Sequence, residues 1–280
     1  MHADKKLEYF AIDSHWLRQS GGLRLDASYY NPRVAHAIDS LRKSGLPLAN
    51  LGAVTERVFI PNRFARTYVE KEHGIPFLQG SHIVHFQPAD LKYVSPTVHQ
   101  HIDKWVIREN WILVTRSGTV GRIAITPSSW DGWAASEHIL RIIPHQNGIV
   151  PPGYLYAFLC SPIGQAQLTA QIYGAVVDEL TEDQTRAVLV PTPKTKKQIE
   201  QVRLINELAM SSVLKRMEAV DFAEGAVSQI NVLVPSVERL AAADQRLEAT
   251  ERFQSLAQRL TPGLRSGVQQ KRIKNRRSQG

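Results

Sequence analysis

Trp111-Ile-Leu-Val-Thr-Arg-Ser-Gly-Thr-Val-Gly-Arg-Ile-Ala-Ile125 is the stretch from which the rest of the chain can be read. An apolar strand runs into Thr115, Arg116 and Ser117. Gly118 and Gly121 then turn the backbone, and a second apolar run, Ile123–Ile125, leads away. Such a hairpin tip exposes a guanidinium, hydroxyls and backbone N–H groups, an arrangement suited to phosphates and base edges. Gly-rich hairpin turns are common, so the weight of this one comes from its surroundings.

Around the hairpin, over residues 48–144, short apolar runs at 58–60, 76–78, 111–114, 122–125 and 139–143 alternate with Gly, Pro, Asn and Asp. This predicts a strand-and-turn region with long loops. Loops that long in a compact domain are more often functional than idle. Before this region, residues 9–12 suggest a short strand. Asn31-Pro32 then starts a helix whose Val34, Ile38 and Leu41 share one face, and Gly45 ends it. After it, Pro152-Gly-Tyr-Leu-Tyr-Ala-Phe-Leu predicts one short helix, and Ser161-Pro162 opens another over 163–172. A loop from Tyr173 follows, then a strand at 187–190 closed by Pro191 and Pro193.

From Lys194 the pattern changes in kind. Ile199, Val202, Ile205, Ala209, Val213, Met217 and Val220 recur every three or four residues. They predict an amphipathic helix of about 25 residues, close to 40 Å long. A break over 225–235 leads to a second helix at 236–260, so the pair reads as a helical hairpin, a coiled-coil arm or two core helices. The tail has Arg265, Lys271, Arg272, Lys274, Arg276 and Arg277 and no acid, the pattern of a disordered basic extension. The expected divisions are an N-terminal lead and helix (1–47), a mixed α/β (α+β) globule (48–193), long C-terminal helices (194–260) and the tail (261–280).

Composition narrows the function. With 280 residues there is room for one large domain, or a medium domain and an appendage. A formal net charge of +8 favours a polyanionic partner. The single cysteine, Cys160, excludes a disulfide framework and a thiolate zinc site, and its apolar setting reads as core. No apolar run approaches the roughly 20 residues that span a bilayer, and the first residues lack a signal-peptide stretch. A soluble, cytoplasmic protein with no membrane partner is expected.

Catalytic signatures do not emerge. There is no phosphate-binding Gly-x-x-x-x-Gly-Lys loop, no Gly-x-Ser-x-Gly elbow and no His-Glu-x-x-His. The methyltransferase tetrapeptides Asn-Pro-Pro-Tyr and Asp-Pro-Pro-Tyr are also absent. Glu70-Lys-Glu72 is the nearest approach to a nuclease metal motif and reads as a solvated charge run. His82 and His85, and His99 and His101, fit no standard ligand set. The expectation is therefore no catalytic, metal or cofactor site in this chain.

Binding fits better. Arg63, Arg66, Gln79, Ser81, His82, Arg116, Ser117, Thr119, Ser136 and His138 lie in or beside Gly-bounded turns and form the candidate DNA-binding set. Arg and Gln can bond guanine and adenine edges in pairs, while Ser, Thr and backbone amides hold phosphates. Trp130, Trp133 and Tyr173 could wedge against sugars or bases, although each aromatic reads first as core.

Five elements in order carry a resemblance. They are Gly74-Ile-Pro-Phe-Leu-Gln-Gly-Ser-His-Ile83, Asn110-Trp-Ile-Leu-Val-Thr-Arg-Ser-Gly-Thr-Val-Gly121 and Ala135-Ser-Glu-His-Ile-Leu-Arg-Ile142. Gly153-Tyr-Leu-Tyr-Ala-Phe-Leu-Cys-Ser-Pro-Ile-Gly-Gln165 and Val188-Leu-Val-Pro-Thr-Pro193 complete the series. Together, over about residues 48–222, they resemble a target recognition domain of Type I restriction-modification specificity subunits. The resemblance implies an α/β globule that reads half of a split sequence in double-stranded DNA, followed by a spacer helix at 196–222. It implies a non-catalytic, antiviral-defence role beside a methyltransferase subunit and a helicase-nuclease subunit. S-adenosylmethionine, ATP and Mg would belong to those partners.

The usual subunit has two recognition domains, and this chain has room for one. That implies self-association, pairing with a second half-subunit through the helical arm, or the reading of one half-site alone. The region after Phe222 has no counterpart in the resemblance. Rival readings are a DNA-binding or scaffold subunit of another defence system, a compact metal-dependent nuclease and an RNA-binding module.

Overall fold

Strand β9, Ile139–Pro144, is buried along almost all its length, and its alternation divides the interior in two. Successive side chains of a strand point to opposite faces. Leu140 and Ile142 join one core with Val58, Ile112, Val114 and Ile125. Ile139 joins the other with Leu78, Ile107, Leu113 and Trp130. The sheet between them has the order β2-β9-β6-β7 and is antiparallel throughout, with β2 at Thr55–Phe59, β6 at Ile112–Thr115 and β7 at Ile123–Ile125. Covered on both faces, β6 is buried at all four positions, which is why Ile112, Leu113 and Val114 are apolar in succession rather than alternating.

The computed structural model describes residues 11, 14, 32–85, 88, 90–99, 101–170 and 179–233. The expected strand at 9–12, most of the loop from Tyr173, the second helix at 236–260 and the basic tail fall wholly or mostly outside them.

Helices close the first core. Helix α1, Pro32–Lys43, contributes Leu41. Helix α2, Pro152–Cys160, contributes Leu155, Phe158 and Leu159, and helix α3, Pro162–Ala170, contributes Leu168. Gly45, at φ +69°, stands just past α1 where the expected stop was placed. Cys160 is exposed at the end of α2, not in the core as its apolar neighbours suggested. Trp130 is core, 2% exposed, and stacks on Trp133.

A second sheet threads through what the sequence suggests are long loops. Its order is β3-β5-β4-β8, with β3 at Tyr68–Val69, β5 at Lys92–Val94, β4 at Ile75–Leu78 and β8 at Ala134–Ala135. It packs a small cluster of Phe77, Val94, Ile102, Val106 and Ala134. The remaining pair joins the two ends of the globule: β1, Leu48–Asn50, runs antiparallel to β10, Leu189–Pro191. Thr192 N donates to Pro47 O at 2.8 Å beside it. The exit strand starts two residues later than the 187–190 expected, because Ala187 N and Val188 N are spent on the preceding helical turn, on Asp183 O at 3.0 Å and Thr185 O at 3.2 Å. Short helix α4, Glu182–Arg186, ties this end to β2: Ile60 N donates to Glu182 Oε1 and Arg186 Nη2 to Val58 O, both at 2.7 Å.

Helix α5, Lys196–Leu233, is 38 residues long. The helix runs on through Gly225 to Leu233, within the 225–235 stretch where the sequence suggests a break, and residues 234–235 lie outside the described ones. One glycine costs a helix about 1 kcal/mol, and the neighbouring Ala223, Glu224, Ala226 and Gln229 are residues that helices tolerate well. The chain divides into two units, at Glu218 and Ala219. In the first, Val202 and Val213 are buried against the α2 core. In the second, the described residues are helical, and Phe222, Val227 and Ile230 are exposed. No described helix is long and apolar enough to cross a membrane.

The approach of α5 to α2 depends on Gly153. Its N–H donates to Asn206 Oδ1 at 2.9 Å, and a Cβ there would lie 2.7 Å from the Asn206 carbonyl oxygen and 2.9 Å from Met210 Cγ. Gly153→Ala is expected to destabilise the protein by about 1–3 kcal/mol through overpacking, read as a lower midpoint in urea denaturation. An unchanged midpoint would show that α5 shifts freely.

Candidate nucleic-acid interface

Arg141 shares a face of β9 with Ile139 and is fully buried. A buried charge is costly unless its hydrogen bonds are met. Here Nη1 donates to Ser136 O at 2.8 Å and to Ile139 O. Nη2 donates to Ala135 O at 2.5 Å and Trp105 O at 3.4 Å. The Arg141 Nε has no hydrogen-bond partner. Burial lowers the guanidinium pKa to about 9, opposed by the nearby Glu137 carboxylate, so the group stays protonated at neutral pH. One planar donor fork thereby fixes the turn that carries Ser136, Glu137 and His138.

Glu137, 5% exposed, is the anionic centre of this turn. Its Oε2 accepts from Arg66 Nη2 and, at 3.3 Å, from Ser136 Oγ. Arg63 Nε and His138 Nε2 each lie 3.7 Å from Oε1. Burial pushes the carboxyl pKa up, but its backbone hydrogen bond, Arg66 and His138 together outweigh this, and the net shift is downward.

The Thr115–Gly121 loop is joined to the same turn. Ser117 Oγ and His138 Nδ1 are 2.7 Å apart, and Arg116 N donates to His138 O at 3.0 Å. Gly118 and Gly121 have φ of +74° and +85°, the left-handed conformations that glycine adopts without strain. Thr115 braces the loop from within: its hydroxyl donates to Thr119 O at 2.5 Å and accepts from Arg122 N at 3.0 Å. Several of the loop's amides are thus used internally rather than turned to solvent.

Between these pieces lies an open cavity of about 450 Å³. Seven of the ten candidate residues line it: Arg66, Gln79, Ser81, Ser117, Thr119, Ser136 and His138. Sequence reasoning passed over Arg122, which also lines the cavity and whose position directly after Gly121 was the available signal. The other three candidates lie elsewhere. Arg63, its side chain 76% exposed, reaches toward Glu137. His82 accepts from Gln79 N at 3.2 Å, and burial, followed by His85, lowers its pKa. Arg116 is not a lining residue: its guanidinium pairs with Glu179, and Nε donates to Leu180 O at 3.3 Å.

Glu70, Lys71 and Glu72 are exposed. Among the described residues, no three His, Cys, Asp or Glu side chains gather as they would around a metal ion.

The loops of two four-stranded sheets thus frame one polar cavity. The family model described as "Type I restriction modification DNA specificity domain" matches residues 66–212, more than half of the chain, and the chain belongs to that family. Among solved structures, the HsdS subunit from Thermoanaerobacter tengcongensis is 16% identical with a TM-score of 0.44, over 69% of this chain and 47% of that one. A structure described by the assembly and conformational transition of the type I R-M system is 15% identical, with a TM-score of 0.44, over 78% and 53%. The Type-I restriction-modification system S subunit from M. genitalium is 12% identical, with a TM-score of 0.43, over 73% and 51%. The chain spans about half the length of each. A comparison with curated proteins found no match.

Two outcomes test the internal frame of the site. Arg141→Ala strips donors from three or more buried carbonyls and is expected to cost about 3–5 kcal/mol, the scale of a broken buried ionic network. A loss within 1 kcal/mol in chemical denaturation would reject the bracing role. Glu137, with its pKa held below the ordinary 4.5, contributes stability that is present above that value and lost as pH falls through the lower, folded one. Denaturation midpoints should therefore fall more steeply on acidification in the wild type than in Glu137→Gln, and parallel curves would contradict this.

Proposed function

We propose that this chain is a sequence-specific DNA-recognition subunit that directs a partner's chemistry and performs none itself. The observation that carries the reading is the cavity where Arg66, Arg122, Gln79, Ser117 and His138 converge from separate loops onto a rigid sheet, in a chain of this family. Guanidinium and amide groups on a firm support are what base edges require, and the hydroxyls around them suit phosphates. The net charge of +8 supports a polyanionic ligand.

In this proposal Arg63, Arg66, Gln79, Ser81, Ser117, Thr119, Arg122, Ser136 and His138 face DNA. Arg116 and His82 position the loops that present them. The partner is a methyltransferase subunit, joined in a full restriction complex by a helicase-nuclease subunit. These supply the sites for S-adenosylmethionine, ATP and Mg. Helix α5 acts as spacer, and its exposed Leu204, Leu208 and Leu214 suit pairing with a second copy or a second half-subunit. The setting is the cytoplasm.

Selection from a random duplex pool, with the full chain alone and co-purified with a methyltransferase subunit, tests the reading. Recovery of one preferred motif supports it. Recovery of random sequence in both cases rejects it, and cleavage of DNA by the chain with Mg²⁺ alone would favour the nuclease instead.

Gln79→Ala is expected to weaken the selected duplex by about 1–3 kcal/mol and to relax the preference at one position. Arg122→Ala should lower the slope of log affinity against log salt by about 1. Fluorescence anisotropy with selected and scrambled duplexes at several salt concentrations reads both. Wild-type values in both variants would remove the cavity from the DNA surface.

A further inference from the structure

Glu137 is a buried acid inside a site proposed for a polyanion. Its two sequence neighbours, Ser136 and His138, line the cavity, and so does Arg66, which it holds. Carboxylate charge at this place opposes phosphate binding, so what it adds must be something other than affinity. The geometry around Arg66 indicates what that is. The guanidinium is gripped by Glu137 and lies over two aromatic rings, 5.0 Å from the Phe77 centroid and 5.5 Å from that of Phe64. Held on those sides, its side chain is only 26% exposed. Glu137 itself is held in turn by Ser136 Oγ, on a backbone pinned by Arg141.

We infer that Glu137 is a selectivity-setting residue: it clamps Arg66 as an oriented fork for a base edge and keeps Arg66 and Arg63 from gripping any phosphate. This rests on the DNA-recognition reading above. A fixed guanidinium matches the paired acceptors of guanine, whereas a freed one is a mobile charge that binds backbone without regard to sequence. Arg63 at 3.7 Å, on an exposed side chain, is a second cation that the carboxylate partly neutralises. Removing the negative charge thus trades discrimination for general adhesion.

The test uses the full chain as wild type, Glu137→Gln and Arg66→Lys. The probes are a duplex selected by the wild type from a random pool and a scrambled duplex of the same composition, titrated across a salt series. Glu137→Gln is expected to bind the scrambled duplex several-fold more tightly, with a salt slope steeper by about 1. Its preference for the selected duplex should fall roughly tenfold, within the range of one lost base contact. Arg66→Lys keeps the charge and loses the fork, so its preference should fall similarly while the slope stays put.

Wild-type preference and slope in Glu137→Gln overturn the inference, as does an equal weakening on both duplexes, which marks a structural role alone. If Glu137→Gln shows no cooperative melting, Arg66→Lys decides, and an undiminished preference there overturns the inference. Failure of the wild type to select any duplex overturns the DNA reading and this inference with it. Selection by the wild type that both variants retain overturns this inference only.

Discussion

The buried Arg141 guanidinium is the constraint on which the site depends. Strand β9 offers alternate positions to two cores, and on one face a charge stands where an aliphatic side chain would be expected. It is tolerated because the chain folds back so that the carbonyls of Ala135, Ser136 and Ile139 converge on it. The exchange is mutual. The turn needs donors inside the protein, and the guanidinium needs acceptors away from water. From that arrangement come the placement of Glu137, its hold on Arg66, and the junction of His138 with Ser117.

The polar residues around this frame divide between bracing and presentation. Thr115 is buried, and its hydroxyl serves the loop's own backbone. Arg116 is spent on Glu179 and Leu180, tying the hairpin to the segment that leads into α4. Arg122, Gln79 and Ser81 remain at the cavity. A guanidinium at the tip of a glycine turn is therefore not by that fact a ligand contact. Arg116, paired with Glu179, does not line the cavity, whereas Arg66, also paired with a carboxylate distant in sequence, does.

Local signals are legible in the sequence, and contacts between distant segments are not. Residues 111–125 announced the β6–β7 hairpin because apolar runs and two turn glycines are local signals. Helices α1 and α2 were legible for the same reason, through Pro starts and apolar spacing. The candidate set was found by its loops, and most of it converges. Partners of long sequence separation were not legible. Strands β3, β5 and β8 are two or three residues long and exist by pairing across the fold, with no periodicity of their own. Arg141 sat in view inside Ile-Leu-Arg-Ile-Ile, but only its carbonyl partners distinguish a brace from an exposed charge. The Thr181-x-x-Gln184 capping box is a readable start signal for α4, in the short stretch between the loop from Tyr173 and the exit strand. At Gly225 a local rule was over-applied, since one weak helix residue among good ones does not end a helix.

The antiparallel clasp of β1 with β10 brings the points where the chain enters and leaves the globule side by side, with Pro47 bonded to Thr192. A module closed in this way behaves topologically as an insertion. Everything that lines the cavity lies between the two clasp strands. Recombination at the clasp could replace the whole cavity lining as one cassette, while the helix before it and the helix after it keep their own sequences. New specificity can then arise by exchange of a folded unit instead of by the slow, correlated substitution of loops that lean on one another.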